Sequence, residues 1–217
     1  MTSRQVIEQA VNFAKEEFLK AEGGHDWWHT YRVWKTARLI AQHEKVNLLV
    51  VELGALLHDI ADSKFHGGDE DIGPEKAMSF LRSINVEDET CRAVTNIVRH
   101  ISFKGGNFDQ MYHSKELDVV QDADRLDAIG AIGIARAFNY GGYRNRSLYD
   151  PDIKPSLDMS ITEYKNNKGP TLNHFYEKLL RLKGMMKTRK GRELAEERHR
   201  YMEEYLKRFL EEWEGTA

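Results

Sequence analysis

Cysteine is almost missing from this chain. Cys91 is the single one in 217 residues, which excludes an intrachain disulfide and any cysteine-rich metal centre. An excess of one charge is missing as well. The formal net charge is -3, and the basic residues are spread along the chain with their densest run from Lys187 to Arg192. Nothing in that balance argues for a nucleic-acid or membrane partner. No apolar run approaches the ~20 residues that cross a bilayer, and Met1-Thr2-Ser3-Arg4-Gln5 lacks the apolar core of a signal peptide. No strand pair convinces and no internal repeat emerges. What is present is an apolar fraction of 41%, enough for a core, and 31% charged residues, suited to a solvated surface. The expectation is a cytoplasmic protein forming one domain over residues 1–217.

Most of the chain reads at helical period, so the fold class expected is all-α. Val6, Ala10, Phe13, Ala14 and Phe18 form a first apolar stripe, ended by Glu22-Gly23-Gly24. A second helix runs from about Asp26, its N-cap, to His43, with His29 in phase with Val33, Thr36 and Ile40. Asn47 caps a third, from Leu48 to about Ala61. Pro74 suits the first turn of a fourth, which Asn85 breaks, and Glu87 or Asp88 opens a fifth carrying His100. One long helix is expected from Ser114 to about Phe138, on the apolar stripe from Leu117 to Ile134. Residues 139–170 hold three of the four prolines and read as a long loop, of the kind that in compact domains usually has a function. Within it Asn139 to Arg146 reads as a lid over a nucleotide, with a surface loop or dimer contact as alternatives. Helices over about Leu172–Lys183 and Lys187–Trp213 close the chain. Trp27, Trp28, Trp34 and Trp213 read as core or interface fillers. The charges of the last helix, Arg198 among them, read as a solvated face.

The chain is organised around Leu56-Leu57-His58-Asp59-Ile60-Ala61-Asp62. A histidine and an aspartate follow an apolar run there, and charged groups are seldom buried unless paired or holding a metal. Asp62, four residues after His58, returns to the same helix face. His29 and an acid within Gln121-Asp122-Ala123-Asp124-Arg125-Leu126-Asp127 are the other helix-borne candidates. Two imidazoles and two carboxylates suit Mn²⁺, Fe²⁺, Co²⁺, Ni²⁺ or Zn²⁺ and are less particular to Mg²⁺.

Taken in order, "HDWWHTYRV", "LLHDIADSK", "IVRHIS" and "QDADRLDAIGAIG" resemble the HD-domain metal-dependent phosphohydrolases. Within that superfamily they look closest to small bacterial stand-alone members, some of them manganese-dependent nucleoside triphosphate pyrophosphohydrolases. The resemblance extends through "FYEKLLRLKGMMKT" and "ERHRYMEEYLKRFLEEW". It implies an HD-type helical core over about residues 20–138 with extra C-terminal helices over 171–214. It also implies one divalent ion, Mn²⁺ first, held by His29, His58, Asp59 and Asp124. His25 stands four residues before His29 and Asp122 two before Asp124, each a competing donor. Asp62, where relatives carry Glu, is the candidate general base, with Lys64 beside it. Lys64, Arg32, His100 and Arg125 are the candidates for binding substrate oxygens. The activity implied is metal-activated attack of water on a (deoxy)nucleoside triphosphate, giving the monophosphate and pyrophosphate. A 5′-nucleotidase, another phosphoesterase or a non-catalytic nucleotide sensor are the alternatives. The partner is a nucleotide or other phosphorylated small molecule, and a homodimer is left open.

Overall fold

The computed structural model describes residues 1–19, 26–61, 69, 71–101, 111–159, 163 and 167–216, all of the latter in helices, turns and irregular segments without a strand. The chain divides into two compact units, Met1–Ala123 and Asp124–Ala217. Among the described residues no helix is long and apolar enough to cross a membrane.

The first unit is built around its most apolar helix. Helices α1 (Ser3–Phe18), α2 (Trp27–Ala41) and α3 (Leu48–Leu57) are followed by α4 (Ile72–Ser83) and α5 (Asp88–His100). α3 packs against α1, α2 and α5, while α4 lies on α5. Seven of the ten α3 residues are buried, including Leu53, Leu56 and Leu57. A helix apolar on nearly every side belongs in the interior, and that places its C-terminal end among neighbouring helices. The starts follow local chemistry as expected. The Asp26 side chain accepts from the His29 amide at 2.7 Å, and Asn47 accepts from the amides of Leu49 and Val50. α4 ends where expected. Asn85 takes φ 54°, the Val86 amide reaches back to Leu81 and the Asn85 amide to Arg82, a Schellman stop.

Two helices differ from expectation. α3 ends at Leu57, so His58 to Ala61 form a turn rather than a continuing helix face. The long helix expected from Ser114 is two: α6 (Lys115–Asp127) and α7 (Gly130–Tyr143). Gly130 has φ +74°, a left-handed conformation that breaks the helix although the apolar spacing runs on.

The second unit holds α7, a short α8 (Asn173–Glu177), a 3-10 helix (Leu179–Met185) and α9 (Arg189–Trp213). A single helix was expected over Leu172–Lys183, and the chain instead tightens into 3-10 geometry after Lys178. Asn139 to Tyr143, expected in a loop, are the last residues of α7. α9 packs on α7 and on the 3-10 helix. An aromatic cluster fills this unit: Phe138 meets Phe175 and Tyr205, and Phe209 meets Trp213, with ring centroids about 6 Å apart. Trp213 and, in the first unit, Trp28 are exposed rather than filling a core.

Candidate functional site

Two helix junctions bring the site together in the first unit. His29 lies in the first turn of α2, where Asp26 caps the helix. His58 is the residue that ends α3, and Asp59 follows it. His29 and His58 are 3% and 6% exposed. Their Nε2 atoms are 3.3 Å apart, and His29 Nε2 is 3.9 Å from Asp59 Oδ2. One donor atom from each of the three lies within 4.8 Å of the others.

The tautomer of His58 follows from its partner. Its Nδ1 is 2.8 Å from the Ala55 carbonyl oxygen, which can only accept, so Nδ1 carries the proton. In the neutral ring Nε2 then keeps its lone pair, and it faces His29. A backbone carbonyl holding the far ring nitrogen is the usual support of a metal-binding histidine. Ala55 is three residues before His58, so this support is built into the last turn of α3; sequence reading did not single it out.

The donor set fits a divalent cation. Two ligand atoms each ~2.1 Å from one ion sit about 3.0–3.4 Å apart in octahedral or tetrahedral arrangements, and never beyond about 4.2 Å. The separations of 3.3 and 3.9 Å lie within that limit. Two buried imidazoles and a carboxylate match the harder transition metals better than Ca²⁺ or a thiolate-seeking ion. Asp59, its side chain 18% exposed, marks the side of the cluster open to water.

The remaining candidates are placed as follows. Arg32 is half-buried on α2. His100 ends α5; its ring stacks on Tyr112 at 5.7 Å, and its carbonyl accepts from the buried Gln121 side chain at 3.0 Å. Neither Tyr112 nor Gln121 carried a signal in the sequence. Asp122 on α6 is fully buried. Asp124 and Arg125 are half-buried in the second unit, where Arg125 donates to the Met185 carbonyl at 2.9 Å. His25, Asp62 and Lys64 lie outside the described residues.

Buried imidazoles beside a carboxylate, at the ends of helices, define a class: an all-α protein with a histidine–aspartate metal-binding motif. Comparison with known proteins narrows it. The HD domain model matches residues 27–129, which include His29, His58, Asp59 and Asp124. YpgQ of Bacillus subtilis (strain 168) is 35% identical over 216 residues, 99% of this chain and 97% of its own. Its structure, solved in complex with ADP, matches with a TM-score of 0.77 and covers 98% of this chain and 96% of that one. An HD-superfamily hydrolase from Bacillus thuringiensis matches with a TM-score of 0.81 at 41% identity, covering 98% of this chain and 99% of that one. The chain belongs to the HD-domain family and is a metal-dependent phosphohydrolase of that superfamily.

Proposed function

We propose that the enzyme hydrolyses a (deoxy)nucleoside triphosphate to the monophosphate and pyrophosphate, with Mn²⁺ as its ion, in the cytoplasm. The observation that carries the reading is the convergence of His29, His58 and Asp59 on one point open to water at Asp59. The choice of a nucleotide is supported by the ADP complex of YpgQ, which shares 35% of its residues with this chain.

When bound, a divalent ion supplies Lewis acidity at a phosphoryl oxygen and a water of lowered pKa. The chain's own residues do the rest. His58, its ring held by the Ala55 carbonyl, and His29, at the capped start of α2, would hold the ion. Asp124 is the proposed fourth ligand, on the strength of its "ADRL" context. Asp62 is the proposed base that takes the proton of the attacking water, with Lys64, Arg32 and His100 binding phosphate oxygens. Arg125, which also donates to the Met185 carbonyl, is the fourth such group.

The test is turnover on a nucleotide panel by chelator-stripped protein given Mn²⁺, Co²⁺, Ni²⁺ or Mg²⁺, with phosphate and pyrophosphate separated. Pyrophosphate plus monophosphate, lost in Asp59→Ala, is the expected result. Phosphate released from monophosphates moves the assignment to a 5′-nucleotidase. Unchanged nucleotide with every ion sinks the reading and leaves a nucleotide sensor or another phosphorylated substrate.

A further inference from the structure

Asp124 occupies the last turn of α6, a place where helices normally fray. A metal ligand must be held to within about 0.5 Å, which a fraying turn cannot do. In the second unit that turn is clamped. Asp127, only 4% exposed, is ion-paired through its carboxylate with Arg136 of α7. The same guanidinium donates to the Asp127 backbone carbonyl at 3.4 Å. Arg198 of α9, 72 positions on, donates to the carbonyl of Leu126. Both carbonyls belong to the group at a helix end that no amide of the helix can satisfy; that of Leu126 also accepts from the Ile129 amide at 3.2 Å. Burial makes the Arg198 guanidinium easier to deprotonate than usual, with Asp127 and Glu197 opposing that effect, so the chain carries an energetic cost to bring this cation inward. Gly130 leaves the passage open: a Cβ there would stand 2.9 Å from Arg198 Cγ.

Two cations on the C-terminal end of α6 also complement its dipole. A glycine cap or water would end the helix as well, without a buried acid and a half-buried arginine. We propose that Arg136, Asp127 and Arg198 are positioning residues that hold the turn carrying Asp124, and with it the proposed ligand, in one conformation. This rests on the reading of Asp124 as a ligand.

Mn²⁺ titrated into chelator-stripped full-length protein, with free ion followed by electron paramagnetic resonance and helicity by circular dichroism, tests it. Arg198→Met and Arg136→Gln are expected to weaken Mn²⁺ binding about 10- to 100-fold, the usual effect of removing an outer support, at unchanged helicity. Arg136→Lys is expected to recover part of the loss. Native Mn²⁺ affinity in both variants, whatever their melting temperature, overturns the proposal and leaves a purely structural clamp. Should Arg198→Met fail to fold, Arg136→Gln against Arg136→Lys decides alone. Asp124→Asn separates the two layers. If it weakens Mn²⁺ binding while the arginine variants do not, only the positioning role falls. If it binds Mn²⁺ as the native chain does, the ligand assignment falls and takes this inference with it.

Discussion

The two units neutralise their buried polar groups in opposite ways. In the second, the buried Asp127 is paired with Arg136, and the half-buried Arg198 holds a backbone carbonyl. In the first, His29 and His58 turn their Nε2 atoms toward each other and toward Asp59. A buried acid with a matching base is at rest. Two imidazole nitrogens and a carboxylate gathered on one point are a donor set for a metal ion. The same residue types therefore make a structural joint in one place and a reactive site in the other, and the difference lies in what surrounds them. Before His58 that is the largely aliphatic α3.

The strongest way to break the comparison is to remove the carboxylate from the cluster. Asp59→Ala is expected to lower kcat/KM by about a thousandfold or more, since the metal supplies several kcal/mol of transition-state stabilisation. Circular dichroism should show the helices intact, because Asp59 lies beyond the end of α3. Activity within tenfold of native would mean the phosphoryl chemistry lies elsewhere. Next in size is the frame itself. Leu56, fully buried on α3, has nowhere to relax. Leu56→Ala is expected to cost about 2–5 kcal/mol in urea unfolding. A loss under 1 kcal/mol would show that α3 is not the centre of its unit.

How far the sequence anticipated this contrast depends on the range of the signal. The caps at Asp26 and Asn47 and the stop at Asn85 were legible, because each is settled by bonds within five residues. His29, His58 and Asp59 were legible as candidates, through a motif order that no spacing argument could supply. The break before α7 was hidden, since the apolar period continues across Ala128 and Ile129, and a glycine in a helical pattern does not announce its φ. Arg198 was misread as solvated. It stands on a helix where several other charges pair locally, as Arg189 does with Glu193 and Arg208 with Glu212, and its real partner is 72 residues away.

The second unit's joints offer a smaller, sharper test. A Cβ on Gly141 would lie 2.0 Å from Thr171 Oγ1 and 3.0 Å from its Cγ2, an overlap that one side chain must resolve. Gly141→Ala is expected to destabilise the chain by about 1–3 kcal/mol. Thr171 Oγ1 is buried without a hydrogen-bond partner, so truncating it sacrifices no hydrogen bond. The double variant with Thr171→Ala should recover much of the loss. If the two substitutions add instead, the contact is not the cause.

The smallest effect expected concerns protons. Burial, seconded by the charges of Lys178 and Arg146, lowers the pKa of His174 from 6.5 to about 4. The folded chain therefore keeps this ring neutral at pH 5, while the unfolded chain protonates it. The stabilisation is complete above pH 6.5 and is lost as pH falls from there toward 4, where both states bind the proton. Part of the ring meets water, so the loss is of order 1 kcal/mol. His174→Asn is expected to flatten urea-unfolding stability over that window by this amount, after subtraction of any change constant with pH. An equal slope in both proteins would show that another group carries the acid sensitivity. A steeper slope in the variant would mean that His174 gains a proton on folding, and that a carboxylate outweighs the burial and the two cations around it.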